Sequence, residues 1–301
     1  MSARLRVSPE VADALERRAP VVCLETTLVA HGFPQGEGYA VGASSEAAVR
    51  AAGAIPATVG ILAGTLVVGL DDAELRRFSE PGAAAHKVGA RDLAACCVQG
   101  ALGATTVGGT LAAVRPLGIE VMATGGLGGV HRGFPSPPDI SSDLAELART
   151  RVVIVSCGVK SLLDVPATSE LLETLGIPVL GYRTDTLPLF YAAAGGPPVS
   201  ARVESAGETA AVARAHWELG AAGAVALARP PEPSLDDVEP LIEAALAEAV
   251  QQAVRGPAIT PFVLARLHAR SDGRTLRANR ELIVGNASLA GEVAVALASA
   301  A

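Results

Sequence analysis

The stretch that decides the fold is "SSDLAELARTRVVIVSCGVKSLLDVPATSELLETLGIPVLGY", residues 141–182. A helical pattern that opens with serine is followed by the apolar run "VVIVSCGV", a second helical pattern and the short run "PVLGY". Short apolar runs bounded by turn residues are typical of buried strands, and helices between them supply the crossovers that parallel strands require. The stretch therefore predicts a helix–strand–helix–strand unit of a parallel sheet.

The same alternation extends from this unit in both directions. Strand-like runs "PVVCL" (20–24), "PATVGIL" (56–62), "EVMATGG" (120–126) and "GAVALARP" (223–230) are separated by helical patterns. Such alternation predicts an α/β protein, a single α/β/α sandwich with a mostly parallel central sheet flanked by helices. Because no composition break or low-complexity linker divides the chain, we expect one domain over residues 1–301.

Composition and charge exclude several classes of function. Half of the chain is hydrophobic and the net charge is −7, with no basic run. An acidic chain of this kind argues against nucleic-acid and anionic-membrane partners. The longest apolar runs are strand-sized and the N-terminus lacks a signal-peptide core, so we expect no membrane span and a cytoplasmic location. The cysteines lack zinc-site spacing, and we expect them to be reduced and buried.

Lysine occurs at only two positions, Lys87 and Lys160, whereas the chain has 22 arginines. Lys160 follows an apolar strand, where desolvation or a second nearby cation favours the neutral, nucleophilic amine. Arginine cannot form an imine, so amine chemistry is one reason to keep a lysine there. Lys87 precedes a helical pattern, where a compact ammonium would add to a phosphate site. Solvated charges and a genome composition that depletes lysine are the simpler alternatives.

Two further segments follow predicted strands. Glu25 ends the first strand, where partial desolvation would raise the pKa of its carboxyl group and suit it to proton transfer. A salt-bridged or capping glutamate is the alternative. "GATTVGG" (103–109) offers backbone N–H groups that can cradle a phosphate, although it matches no established phosphate loop and close packing explains it equally well. Ligands of open α/β sheets bind at the carboxyl ends of the strands, so we expect these segments to share one site.

The most unusual stretch is "ATGGLGGVHRGFPSPPDISSD", residues 123–143. It combines five glycines, a His–Arg pair, three serines and the carboxylates Asp139 and Asp143. The carboxylates suit either a hard divalent cation or the hydroxyl groups of a sugar. One of the serines at 141 and 142 is placed to cap the helix that follows. A flexible surface loop is the alternative, but the concentration of glycine and charge favours a binding site.

The motifs, in their order and spacing, resemble the pseudouridine-5′-phosphate glycosidases, also called the indigoidine synthase A-like family. The resemblance spans about residues 20–296 and is carried by "LETTLVAHGFP", "AHKVGARD", "GATTVGGT", "MATGGLGGVHRG", "DISSDL", "SCGVKSLLD", "GYRTDTLP" and "TPFVLARL". It implies an α/β/α homotrimer that uses a divalent metal, usually Mn²⁺. It also implies a lyase-class enzyme that cleaves the C–C glycosidic bond of pseudouridine 5′-phosphate, reversibly, to uracil and ribose 5-phosphate.

The resemblance also implies residue roles. Glu25 would be the proton donor, Lys160 the nucleophile and Asp139 the metal ligand, with water completing the metal shell. Substrate contacts, in part with the phosphate, would come from Lys87, Val107, Ser141, Ser142 and Asp143, and we add Thr124 and His131 from the glycine-rich stretch. Ser142 stands where family members often have alanine.

The expected chemistry follows from the difficulty of the bond. A C-glycoside resists two-carboxylate hydrolysis because a uracil carbanion leaves badly. We therefore expect Glu25 to protonate the ring oxygen while Lys160 bonds to C1′. Uracil then leaves from this amine adduct as its C5 gains a proton, and the ribose 5-phosphate imine that remains on Lys160 is hydrolysed by water. Cys157 is a rival nucleophile and Asn286 a candidate neighbour, although ordinary packing is the simpler interpretation of both.

Two other classes of function compete with this one. A non-catalytic phosphosugar-binding or pigment-pathway protein is one, but the presence of Glu25 and both lysines argues against it. A sugar kinase-like enzyme is the other, but the sequence has no Walker A loop.

Overall fold

A computed structural model describes residues 4–34, 36–136, 138–254 and 258–299 of the chain. The strands in these ranges are β1 Leu5–Val7, β2 Val21–Glu25, β3 Ile55–Leu62, β4 Thr65–Val68, β5 His86–Val88, β6 Gly103–Thr105, β7 Val121–Ala123, β8 Val130–His131, β9 Val153–Ser156, β10 Leu163–Asp164, β11 Val179–Tyr182, β12 Ala201–Val203 and β13 Val225–Ala228. The α-helices are α1 Pro9–Glu16, α2 Thr27–His31, α3 Gly38–Ala51, α4 Asp72–Arg77, α5 Leu93–Val98, α6 Val107–Val114, α7 Asp143–Leu147, α8 Val165–Thr174, α9 Ala206–Glu218, α10 Glu239–Gln251, α11 Ile259–Arg270 and α12 Arg274–Ala298.

Eleven of the strands form one sheet, in the order β1-β4-β3-β2-β7-β9-β13-β11-β12, with β5 and β6 attached beside β3. All neighbours pair in parallel except β3 with β4 and β3 with β6. The short strands β8 and β10 form a separate antiparallel pair. The predicted α/β class with a mostly parallel sheet is confirmed, and the parallel run from β3 to β12 places the carboxyl ends of β2, β7 and β9 side by side.

Strand β9, which comes from the apolar run "VVIVSCGV", lies near the centre of the sheet and is buried along its whole length. Val153 and Val155 pack with α3, α9 and α12 on one face, whereas Ile154 packs with α6, α7 and α8 on the other. Because helices cover both faces, every position of the strand can be apolar. This explains why β9 has a continuous apolar sequence rather than an alternation of apolar and polar residues.

Truncation of Ile154, whose side chain is 0% exposed, should measure the strength of this packing. We expect Ile154→Ala to lower the free energy of unfolding by about 2–5 kcal/mol, through lost burial and the cavity left behind. Urea denaturation followed by circular dichroism measures this change. Val98→Ala is the matched control because Val98 is 69% exposed, and it should change the same free energy by less than about 0.5 kcal/mol. Equal effects of the two substitutions would contradict the packing described here.

Helix α12 is the longest helix of the described residues. It has 25 residues, and an 18-residue window within it has a mean hydropathy of 1.4, which is the length and composition of a membrane span, but half of that window is buried inside the protein. It packs against α3, α9 and the strands β2, β7 and β9. It is therefore a core helix, and it brings side chains to the carboxyl ends of those strands.

The structure refines two local predictions. The helix expected after Lys87 is confirmed, because α5 begins at Leu93, and Lys87 itself lies in strand β5, which pairs with β6. Thr168, a possible helix cap on sequence grounds, lies inside helix α8, and its hydroxyl donates to the carbonyl of Asp164. The helix begins at Val165 and is capped by Asp164, which accepts a hydrogen bond from the backbone N–H of Ala167. Sequence periodicity found the helix, but the Asp-Val-Pro start signal was overlooked.

Candidate active site

A cavity of about 290 Å³ opens at the carboxyl ends of β2, β7 and β9. Glu25 is the last residue of β2, Thr124 follows β7 directly, and Lys160 lies four residues beyond β9. Lys87 lines the same cavity, and its apolar wall includes Leu28, Phe33, Phe190, Leu264 and Ile283. The sheet topology thus brings an acid and two amines, separated by up to 135 residues in sequence, into one cavity.

Glu25 is almost fully buried, with 4% of its surface exposed. Burial is the main influence on its carboxyl group and raises the pKa, whereas the charge of Lys160 and a hydrogen bond from the Thr124 hydroxyl act in the opposite direction. A carboxyl group with a raised pKa keeps its proton to higher pH than usual. Glu25 therefore has the environment of a general acid.

Lys160 is held by its backbone and left free at its amine. Its N–H donates to the carbonyl of Leu127 (3.1 Å) and its own carbonyl accepts from Leu163 (3.0 Å). Arg132 supports the same turn by donating to the carbonyls of Ser161 (2.8 Å) and Leu163 (3.3 Å). Across the described ranges, no carboxylate oxygen lies within 4 Å of the Lys160 ammonium.

Gly126 makes room for the nucleophilic side chain. A Cβ atom at this position would lie 2.5 Å from the ring of Phe190 and 3.4 Å from Cγ of Lys160. The ring and the lysine stem therefore lie close against the glycine backbone. This is one place where the glycine-rich character of 123–143 has a direct physical reason.

Lys87 approaches the cavity from strand β5. Its pKa is lowered first by desolvation and second by the positive charge of Lys160, while Asp143, Glu25 and Asp139 favour the charged form. The two lysines are therefore near enough to affect each other. A pair of cations next to a cavity suits an anionic ligand such as a phosphate.

Val107 is the first residue of α6, where the sequence predicted a phosphate contact. The carboxylate of Asp143 already accepts hydrogen bonds from the N–H of Gly108 (2.7 Å) and from the hydroxyl of Thr106 (3.2 Å). Asp143 is buried, at 5% exposure, so it fixes α6 against the start of α7. The described geometry thus gives Asp143 a positioning contact, and direct substrate contacts of Val107 and Asp143 stay predictions.

Ser141 and Ser142 lie just before α7. The hydroxyl of Ser141 accepts a hydrogen bond from the N–H of Asp143 (3.3 Å). Ser142 occupies the N-cap position but its side chain makes no capping hydrogen bond. Its hydroxyl instead points toward Gly89, two residues after Lys87. An exposed hydroxyl beside Lys87 remains available to a ligand.

Asp139 and His131 face each other at the edge of this region, with Nδ1 of His131 3.8 Å from Oδ2 of Asp139. Burial lowers the pKa of His131, the carboxylate of Asp139 opposes this, and both lysines lower it further. Nowhere in the described ranges do three or more His, Cys, Asp or Glu side chains converge as a metal cluster. One accessible carboxylate fits a hard divalent ion that keeps most of its water and completes its shell with phosphate oxygens.

Sequence reasoning missed Asn279, on α12, which lines the cavity next to Ile283. It is 3% exposed, and its Oδ1 atom is buried without a hydrogen-bond partner among the described residues. A buried carboxamide without a partner is costly in the absence of a ligand. The signal in the sequence was a second asparagine seven residues before Asn286, on the same face of a long helix.

Other candidates lie outside the cavity lining. Cys157 is fully buried, burial raises its pKa to about 11, and its thiol donates to Asn286. It is therefore a protonated thiol and a poor nucleophile. In the segment "GYRTDTLP", Arg183 stacks on Tyr182 and Asp185 pairs with Arg202 on the surface.

Comparisons with known proteins identify the family. The family model described as "Indigoidine synthase A like protein" matches residues 10–296. A curated relative from Myxococcus xanthus (strain DK1622), named pseudouridine-5′-phosphate glycosidase, is 46% identical over 98% of this chain and 99% of its own length. A relative of the same name from Paracoccus denitrificans (strain Pd 1222) is 43% identical over 98% of this chain and 99% of its own length.

Two solved structures are similar over nearly their whole length. The prealnumycin C-glycosynthase AlnA, in complex with ribulose 5-phosphate, has a TM-score of 0.89 and 41% identity over 99% of this chain and 98% of its own. An indigoidine synthase A-like protein from Thermotoga maritima has a TM-score of 0.87 and 37% identity over 98% of this chain and 96% of its own. The fold and the order of its elements are therefore common to all three chains.

Proposed function

This chain belongs to the indigoidine synthase A-like family, and we propose that it is a pseudouridine-5′-phosphate glycosidase. The reaction is the reversible cleavage of the C–C glycosidic bond of pseudouridine 5′-phosphate to uracil and ribose 5-phosphate. The observation that carries the proposal is one cavity shared by a buried acid, Glu25, and an amine, Lys160, that has no ion pair among the described residues. Full-length relatives bear this name, and the similar C-glycosynthase binds a pentose phosphate.

Glu25 acts first, as the general acid. Its raised pKa keeps a proton available, and it gives that proton to the ring oxygen as the bond between C1′ and that oxygen breaks. The neutral amine of Lys160 forms a bond to C1′, and the proton that the amine loses returns to the carboxylate of Glu25.

The second half of the reaction breaks the carbon–carbon bond. The lone pair of the Lys160 nitrogen forms a C1′=N bond while the electrons of the C1′–C5 bond take up a proton at C5 of uracil. Glu25, within the same cavity, is placed to supply that proton. Water then adds to C1′ of the imine and releases ribose 5-phosphate and the free amine.

The two ends of the substrate have different surroundings. We assign the phosphate to the side of Lys87, where Ser142, His131 and the start of α6 lie close by. We assign uracil to the side of Asn279, whose carboxamide can donate to a carbonyl oxygen and accept from a ring N–H. Thr124 serves Glu25 through its hydroxyl rather than the substrate directly.

A divalent ion, Mn²⁺ or a similar hard cation, would be held by Asp139 and would neutralise charge on the phosphate. In this chain Asp139 faces His131, which is held largely neutral by burial. We also propose that the enzyme is a cytoplasmic homotrimer, as the family resemblance implies.

Replacement of Lys87 should weaken binding of the phosphorylated substrate. We expect Lys87→Ala to raise the KM for pseudouridine 5′-phosphate about tenfold to a hundredfold, the loss of one charge-assisted hydrogen bond. Steady-state kinetics on the nucleotide and on unphosphorylated pseudouridine separate this effect from a general one. Lys87→Arg, which keeps the charge, should lose less. An equal loss of kcat/KM on both substrates would contradict the phosphate assignment.

The proposed function is tested by incubating the protein with pseudouridine 5′-phosphate and Mn²⁺ and following uracil and ribose 5-phosphate by chromatography. We expect equal amounts of both products, and formation of the nucleotide when both products are supplied. If uracil release does not exceed that of a Lys160→Ala preparation, the proposed function is wrong.

A further inference from the structure

Asn286 lies directly behind the cavity, two turns of α12 beyond Asn279. Its side chain is 0% exposed. Its Nδ2 atom donates to the carbonyls of Thr124 (2.8 Å) and Gly125 (3.3 Å), and its Oδ1 atom accepts from the thiol of Cys157 (3.4 Å). One carboxamide therefore connects the segment after β7 with the segment after β9.

These two segments carry the groups that react. Thr124, in the first, donates its hydroxyl to Glu25. Lys160, in the second, comes three residues after Cys157. The backbones are also linked directly, because the N–H of Cys157 donates to the carbonyl of Gly125 (2.9 Å). The Asn286 amide thus strengthens the contact between the segment after β7, which carries Thr124, and the segment after β9, which carries Lys160.

The amide is hard to replace at this position. The Gly125 carbonyl keeps the N–H of Cys157 as a donor, but the Thr124 carbonyl accepts from Asn286 at 2.8 Å. A buried carbonyl left without its donor costs about 1–3 kcal/mol, so the Thr124 carbonyl holds the carboxamide in one orientation. A threonine side chain adopts only a few staggered rotamers relative to its backbone. The direction of the Thr124 hydroxyl therefore depends on the position of the Thr124 backbone.

We propose that Asn286 is a positioning residue for the glycosidase reaction: it sets the Thr124 hydroxyl against Glu25 and keeps the Lys160 segment in register with both. This inference rests on the proposed function. Asn286 does not line the cavity, and it acts through Thr124 and the backbone.

The proposal has a signature that a merely structural role lacks. Thr124 donates to Glu25 and so favours its ionised form. Loss of Asn286 loosens that hydrogen bond, and the pKa of Glu25 then rises. Because Glu25 acts as an acid, the alkaline limb of the kcat–pH profile moves to higher pH. A structural role alone would lower the melting temperature and leave the profile in place.

The experiment uses Asn286→Leu, which keeps the shape of the side chain and removes all its hydrogen bonds. The matched control is Thr209→Val on α9, a fully buried position whose hydroxyl donates to the carbonyl of Ser205 (3.0 Å). We expect Asn286→Leu to lower kcat about tenfold to a hundredfold, to leave KM within about threefold, and to shift the alkaline limb upward. The control should lower only the melting temperature.

A double-mutant cycle with Thr124→Val tests the route of the effect. In the Thr124→Val background Asn286→Leu should cause little further shift of the alkaline limb, whereas independent effects of the two substitutions would overturn the proposal. If Asn286→Leu does not fold, Asn286→Ser undergoes the same measurements. Uracil release by the unaltered protein tests the proposed function separately. An active protein whose Asn286 variants keep the original pH profile would refute this inference alone.

Discussion

Lys160→Ala should abolish turnover of pseudouridine 5′-phosphate. We expect kcat to fall by at least about a thousandfold, because removal of a covalent nucleophile eliminates the route itself rather than one contact on it. The side chain has no ion pair among the described residues, so its loss should not destabilise the fold through a broken salt bridge. Uracil release under saturating substrate measures the effect, and unchanged circular dichroism verifies the fold.

Lys160→Arg distinguishes amine chemistry from charge. Arginine keeps a positive group beside Lys87 but stays protonated and forms no imine. We expect it to be as inactive as Lys160→Ala while binding the phosphorylated substrate about as well as the unaltered protein. A Lys160→Arg enzyme with more than about a tenth of the original kcat would show that the charge, and not the amine, is what the reaction needs.

Glu25→Gln should have the second largest effect. The substitution keeps the size of the side chain and its ability to accept from Thr124, but it removes the transferable proton. We expect kcat to fall about a hundredfold to ten-thousandfold, the usual contribution of a positioned acid. In the unaltered enzyme kcat should decline with rising pH through the raised pKa of Glu25, because the protonated form is the active one. That alkaline decline should disappear in Glu25→Gln.

Glu46→Gln is the matched control. Burial also raises the pKa of Glu46, and its carboxylate accepts a hydrogen bond from Thr58, but it does not line the cavity. We expect kcat to stay within about threefold of the original. If both substitutions reduced kcat equally, a buried acid in general, rather than Glu25, would account for the loss.

The strand-and-helix alternation was readable from sequence because each buried strand carries a continuous apolar run. Strand β9 is the clearest example, with Ile154 and its neighbours buried on both faces. Strand β5 could not be found in this way. It has three residues, and His86 and Lys87 are exposed, so it has no apolar run to mark it.

In the candidate site, too, some residues were marked by a local sequence pattern and others were not. Glu25, Thr124 and Lys160 were locatable because each follows an apolar strand, and adjacent parallel strands end at one edge of the sheet. Asn279 and Asn286 come from the last helix, more than a hundred residues after Lys160. The sequence offered Asn286 only as a candidate neighbour and left Asn279 unidentified, because the approach of both to the cavity depends on how α12 packs across the sheet. The contact between Asp143 and the start of α6 was hidden for the same reason.

The claim that Lys160 forms an imine with the sugar is tested most directly by chemical trapping. The protein is incubated with ribose 5-phosphate, reduced with sodium borohydride, digested and analysed by mass spectrometry. We expect a pentose phosphate linked through a secondary amine to Nζ of Lys160, dependent on the sugar phosphate and reduced in yield by Glu25→Gln. Label on Lys87 instead, or no label in a preparation that releases uracil, would contradict the account.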